Sequence, residues 1–295
     1  MYKPIPLQIF GVWLALCLLS ASTAAEEITL QLDSGLKALA DFRPGEREKP
    51  AVLVLHGFLQ TRHFSTVRLI VDELAENGYS VLAPTLSLGI DLRRTSLACD
   101  AIQNHSVEQA NAEIHTWLEW LKRGGHHRVI LIGHSTGSNH LLSYLHAGSD
   151  TASIAFIATS ISSIESMQPP QESRRLRAEA QAALSSGGSP LLRSSLGFCH
   201  NNYTAPARDF LSYLRWDEEH TLQQLLTSPV PTTVVLGEAD QWVRPDWADS
   251  LEREGIPLRR IPEANHYFSG ITEFDFLAVI LSLVETAAEE DGALR

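Results

Sequence analysis

Apolar positions along this chain follow two rhythms, and the rhythms take turns. Residues 28–32 alternate apolar and polar, Asp33, Ser34 and Gly35 supply a turn, and the alternation resumes over 36–42, which predicts an opening β-hairpin. Residues 51–55 (Ala, Val, Leu, Val, Leu) are apolar without interruption. A run with no polar face predicts a strand covered on both sides, as in a parallel sheet. A helix is predicted over 67–77, stopped by Gly78, and a short strand over 79–83, halted by Pro84. The best patterned helix follows. Ser106 is placed to cap it and Gln109 to complete a capping box. Val107, Ala110, Ile114, Trp117, Leu118 and Leu121 then share one face, and Gly124 with Gly125 ends the helix. A strand over 128–132, a helix after Ser135 and a strand over 153–158 complete the series. Strand and helix in alternation predict a mostly parallel α/β sheet with right-handed crossovers.

After Thr159 the rhythm breaks for about 70 residues. The break holds a polar helix candidate at 172–184, the flexible Ser185, Ser186, Gly187 and Gly188, then Cys199 and an aromatic-rich helical stretch at 210–226. A connection that long, with helices of its own, generally serves a site. The alternation returns with a strand at 232–236, a helix after Pro245, a strand at 258–261 and an apolar helix from Thr272. The reading is one core, residues 26–160 and 231–295, interrupted by a helical cap at 161–230.

Composition adds limits. The 295 residues are 44% hydrophobic and 20% charged, as in ordinary globular proteins. A formal net charge of −12, with no dense Lys/Arg run, argues against nucleic acid as a partner. No fixed-period repeat suggests a solenoid or propeller. Residues 1–25 read as a secretory signal: Lys3, an apolar run over 9–19, then Ser20, Ala21, Ser22, Thr23, Ala24 and Ala25, with cleavage after Ala24 or Ala25. The run is shorter than the roughly 20 residues a spanning helix needs, so contact with a membrane is expected only through the transient signal. Cys17 does not make a lipoprotein site, because Leu16 stands where a small residue belongs. The expected location is therefore periplasmic or secreted. Removal of the signal leaves Cys99 and Cys199, an even pair that can close a disulfide in an oxidising compartment or stay as two buried thiols. Neither belongs to a Cys-x-x-Cys pair, and the 12 histidines suggest no metal set.

Candidate chemistry centres on Gly133, His134, Ser135, Thr136 and Gly137. The spacing fits a nucleophile elbow, a tight strand-to-helix turn where glycines let backbones crowd and the serine hydroxyl projects outward. An apolar strand precedes it and an apolar helix follows, as the turn requires. His56, Gly57 and Phe58 end the earlier buried strand, and amides of Phe58 and Thr136 are candidates for an oxyanion hole. A serine hydroxyl needs a base. His266 lies between the last strand and the last helix, whereas the other histidines sit mostly in helices or polar loops, where a solvated side chain is the default. The imidazolium needs a carboxylate, and Glu238 and Asp240 both follow a buried strand.

These features, in the order Ser, Asp, His, resemble the α/β-hydrolase superfamily over nearly all the mature chain. The resemblance implies an eight-stranded, mostly parallel sheet flanked by helices, a cap after the sixth strand, and no cofactor. It also implies Asp240 rather than Glu238 as the acid, and the elbow serine sets the chain apart from the dehalogenase branch, known for aspartate there. The expected activity is that of a serine hydrolase, most simply a carboxylic esterase acting on a small ester-like molecule. Lipase, thioesterase, peptidase or acyltransferase activity, or ligand binding without turnover, are the alternatives.

Overall fold

The computed structural model describes residues 25–148, 152–164 and 170–293. The leader expected at the N-terminus lies outside the described residues, Ala25 aside. The opening alternation forms β1 (Glu26–Gln31) and β2 (Lys37–Arg43), an antiparallel hairpin. Then come β3 (Ala51–Leu55), α1 (Ser65–Glu76), β4 (Val81–Thr85), α2 (Val107–Arg123), β5 (Val129–His134), α3 (Thr136–His146) and β6 (Ser153–Thr159). The insertion contains α4 (Pro170–Ser185), β7 (Leu191–Leu196), β8 (Cys199–Pro206), α5 (Ala207–Leu214) and α6 (Glu218–Leu226). The core resumes as β9 (Thr232–Gly237), α7 (Trp247–Arg253), β10 (Leu258–Ile261) and α8 (Glu273–Ala293).

Eight strands make one sheet in the order β1-β2-β4-β3-β5-β6-β9-β10. The β1–β2 and β2–β4 pairs are antiparallel and the rest parallel. The unbroken apolar runs are its centre, and their alternate residues feed two cores. Leu53, Leu55 and Leu131 pack with α2, α3 and the insertion on one face. Val52, Val54, Ile130 and Ile132 pack with α1 and α8 on the other. Two buried faces leave no polar positions in β3 or β5, which explains the runs. On α2 all six residues of the expected face are buried, and both halves of the Ser106–Gln109 capping box form.

Two expectations need correction, and a third gains detail. Pro84 does not halt β4 but lies within it, paired with Ala40. Ser80 accepts a hydrogen bond from Val52 of β3, so alternation turns Pro84 toward β3 as well. Pairing with β3 ends at Leu82, two residues earlier, so the ladder asks for no N–H at Pro84. The insertion is not wholly helical, since β7 and β8 form a hairpin. Its polar stretches, Arg193 to Ser195 and His200 to Asn202, carry no alternation that sequence pattern detects. The stretch at 210–226 forms two helices, because Asp217 caps α6 by accepting from the His220 amide at 2.8 Å.

Topology places the site. From β3 the chain moves outward to β4, then returns past β3 to β5. The C-terminal ends of β3 and β5 therefore diverge at a topological switch point, where open α/β sheets form their crevices. The segment from His56 to Phe58 and Ser135 sit at those two ends.

Candidate active site

Ser135 stands between β5 and α3 with φ 55° and ψ −127°, a region that residues with a side chain rarely occupy. Holding it there costs roughly 1–3 kcal/mol, which the surrounding packing supplies. The amide of Ser135 donates to the Thr159 carbonyl at 2.8 Å, and Ser138 closes the turn onto the Ser135 carbonyl at 2.8 Å. Both flanking glycines are steric necessities. A Cβ on Gly133 would lie 2.5 Å from the Ser138 backbone, and one on Gly137 2.4 Å from the His56 carbonyl oxygen. Crowding thus presses the elbow against the end of β3, and Ser135 is left half-exposed among buried neighbours.

His266 comes from the loop between β10 and α8 and is 5% exposed. Its Nδ1 lies 2.7 Å from Asp240 Oδ2, and the other carboxylate oxygen accepts from the Trp242 amide at 2.9 Å. Nδ1–H donating to a carboxylate leaves the lone pair of the neutral ring on Nε2. That nitrogen is buried and has no hydrogen-bond partner. The Ser160 hydroxyl donates to the His266 carbonyl at 2.9 Å, and the Trp242 ring lies 4.6 Å from the imidazole, so the ring is held from two sides. Glu238, the alternative acid, is exposed, whereas Asp240 is buried against the histidine.

Ser135, Thr136, His266 and Phe58 line one cavity of about 30 Å³, together with Asn139, Ile164, Phe198 and Trp242. That volume has room for only one or two water molecules. Thr136 opens α3, where the first amides of a helix lack intrahelical acceptors and the dipole is positive. A larger cavity of about 90 Å³, between the β1–β2 turn and α2, holds the Ser87 hydroxyl hydrogen-bonded to the Glu113 carboxylate, while its histidine, His105, is paired with Tyr213 and Gln103 and not with a serine. Among the described residues no three His, Cys, Asp or Glu side chains converge as a metal-binding group. Cys99 and Cys199 are bonded, with Cα atoms 5.4 Å apart.

The expectation of solvated histidines is wrong for His105 and His140, and the two histidines beside the site, His56 and His134, are buried as well. Burial, then the nearby Arg93 guanidinium, holds the His56 pKa well below the usual imidazole value. Its Nε2 accepts from the Leu86 amide at 3.1 Å, and Nδ1 donates to the Gly57 carbonyl at 2.9 Å, so the neutral ring pins the segment that carries Phe58. Arg93, which pattern reading passed over, is buried there and donates to the carbonyls of Leu86, Gln60 and Thr95. His134 turns its Nδ1 toward the Thr159 hydroxyl at 3.3 Å and lies 5.3 Å from the His266 ring. Trp242 and Phe198 were also missed as cavity residues. An aromatic next to a candidate acid was the available signal for Trp242, and nothing local marked Phe198.

A serine on a strained turn, a histidine with a free buried nitrogen, a carboxylate behind it and amides ahead of it form a set able to carry acyl transfer. Comparison with known proteins agrees at the level of fold. The α/β hydrolase GrgF from Penicillium sp. sh18 superposes with a TM-score of 0.67 at 16% identity, over 90% of this chain and 100% of that one. An esterase from Thermogutta terrifontis gives 0.60 at 16% identity, over 90% and 100%. The esterase PF2001 of Pyrococcus furiosus gives 0.59 at 14% identity, over 97% and 98%. A search of curated protein sequences finds no match. The sequence model of the alpha/beta hydrolase family matches residues 52–274, from β3 into α8 and across the whole insertion. The chain belongs to the α/β-hydrolase family.

Proposed function

We propose that this protein is a serine hydrolase that cleaves a small carboxylic ester through an acyl-enzyme on Ser135. The observation that carries the reading is the Asp240–His266 hydrogen bond of 2.7 Å, which leaves His266 Nε2 buried and unpartnered on the cavity that Ser135 lines. As the Ser135 hydroxyl oxygen attacks the ester carbonyl carbon, Nε2 takes its proton. The charge moves to the carbonyl oxygen, toward the Phe58 and Thr136 amides, where each donor of such a hole is worth about 3–4 kcal/mol. Collapse of the tetrahedral adduct breaks the bond to the alcohol, which leaves with the proton from Nε2. Water then repeats the sequence on the acyl-serine. Asp240 stays ionised throughout and stabilises the imidazolium. The esterases among the structural neighbours support an ester as the bond cleaved. The order of Lys3, an apolar run and small residues, joined to a cysteine pair close enough to bond, supports action outside the cytoplasm.

One experiment tests both parts. A fluorophosphonate added to the protein purified from its native compartment adds one phosphonyl mass in the wild type and none in Ser135→Ala. The same intact mass reads where the mature chain begins, expected at Ala25 or Glu26. Turnover of an activated ester falls by several orders of magnitude in Ser135→Ala and His266→Ala, and the double variant is barely worse than either. A folded wild type that neither labels nor cleaves any ester points instead to ligand binding without turnover.

A further inference from the structure

One wall of the Ser135 cavity comes from the insertion, and the chain goes to some length to hold it still. β7 and β8 are joined by only Gly197 and Phe198, with Leu196 paired to Cys199 across the turn. Gly197 has φ +54°, the first-position requirement of a tight two-residue hairpin turn. A Cβ there would sit 3.0 Å from Phe58 Cδ1, so the turn backbone rests on the Phe58 ring. The neighbouring Phe198 ring lies 5.6 Å from that of Phe58 and 5.9 Å from that of Trp242. Trp242 in turn packs on His266. Phe198 therefore bridges the side of the cavity that carries the oxyanion amides and the side that carries the base, and the space enclosed is about 30 Å³.

The turn has two anchors. Cys199, next to Phe198, is bonded to Cys99. Five residues further along β8, the Thr204 carbonyl accepts from the Gln103 amide at 2.8 Å. The segment that supplies both anchors is itself tied to the Phe58 loop. The Leu97 amide donates to the Leu59 carbonyl at 2.9 Å, and Arg93 donates to the Gln60 carbonyl at 2.7 Å. These anchors restrain the turn backbone that carries Phe198 from moving away from Phe58, and the contacts with Phe58 and Trp242 seat its ring.

We propose that Phe198 is a specificity-determining residue whose ring, held by the Cys99–Cys199 bond, limits the substrate to short acyl chains. The inference rests on Ser135 being the nucleophile. Its physical basis is packing: each methylene beyond the space beneath the ring must displace an anchored aromatic, and overfilling a packed apolar site is unfavourable. The cysteine pair acts only through the turn and is a positioning element.

The test compares kcat/KM for p-nitrophenyl acetate and p-nitrophenyl hexanoate, taken as a ratio because a ratio is blind to the fraction of folded enzyme. The wild type favours acetate. Phe198→Ala raises the hexanoate-to-acetate ratio by at least about tenfold, the scale on which pockets discriminate single methylenes. Phe198→Leu, which keeps an apolar side chain in the turn, moves it part of the way. Cys99→Ala with Cys199→Ala shifts it in the same direction, which a purely stabilising bond would not do. Fluorophosphonate labelling runs alongside. If the wild type labels and cleaves but prefers hexanoate, or if both Phe198 variants leave the ratio within twofold, the inference is overturned and Ser135 keeps its role. If the wild type neither labels nor cleaves, the serine reading fails and this inference with it.

Discussion

Asp240 and Glu238 differ by one methylene and two positions, yet their surroundings separate them completely. Both oxygens of Asp240 are used, one by the Trp242 amide and one by His266, while Glu238 faces solvent. Replacement of Asp240 by Asn puts an N–H opposite Nδ1 or rotates away the oxygen that Trp242 holds. Either way the ring loses the carboxylate charge that would stabilise its imidazolium form. Ester turnover in Asp240→Asn is expected to fall by on the order of 10³–10⁴, and in Glu238→Gln to change by no more than about twofold, as for a solvated surface charge. The opposite ranking in steady-state kinetics reassigns the acid. The strain at Ser135 belongs to this scale too. Its φ of 55° persists because Gly133 and Gly137 let α3 and the end of β3 close on it from both sides.

Elements differ in how they are secured. α2 carries its signals in its own sequence: an apolar face for the sheet, a capping box, Glu108 in its first turn and Lys122 with Arg123 in its last. The β7–β8 hairpin has only a glycine turn of its own and is tied to the core by a bond between residues 100 apart. In the chain-entropy account, closing a loop of that length contributes up to about 4.7 kcal/mol by restricting the unfolded chain. Cys99→Ser with Cys199→Ser is therefore expected to lower the denaturant midpoint markedly and to raise the slope, since the unfolded chain without the cross-link exposes more surface. An unchanged midpoint would show that the bond contributes nothing to stability.

On the scale of the whole molecule, the packed interior holds His56, His105, His134 and His140 in their neutral form. Burial lowers the pKa of all four, to about 3 for His105 and about 4 for His140. In the unfolded chain each titrates near 6.5. Above that value neither state binds the protons and stability is fully present. As pH falls below it, the unfolded chain takes them up first. Each such histidine then removes about 1.4 kcal/mol per pH unit until its folded pKa is reached. The melting temperature is expected to drop steeply from pH 6.5 to pH 4. His140→Leu removes one of these protons and flattens that slope. A melting temperature level across this range would mean that the rings are solvated.

The strand and helix alternation, the capping of α2, the elbow and the late histidine are legible in the sequence, because each depends on neighbours within a few residues or one turn. Hydrophobic periodicity reports which faces are buried, and for β3 and β5 it reports that both are. Periodicity says nothing about partners distant along the chain. The choice of acid depends on a contact across 26 residues, the cysteine pairing on one across 100, and the burial of His105 on a hydrogen bond to Tyr213 across 108. Pro84 is accommodated in β4 because it lies beyond the last β3–β4 pair, Leu53 with Leu82. Phe198 enters the cavity only because the hairpin is folded back onto Phe58. Local chemistry therefore determined the parts and the candidate nucleophile, whereas packing between distant segments decided which carboxylate lies against His266 and how large the cavity is.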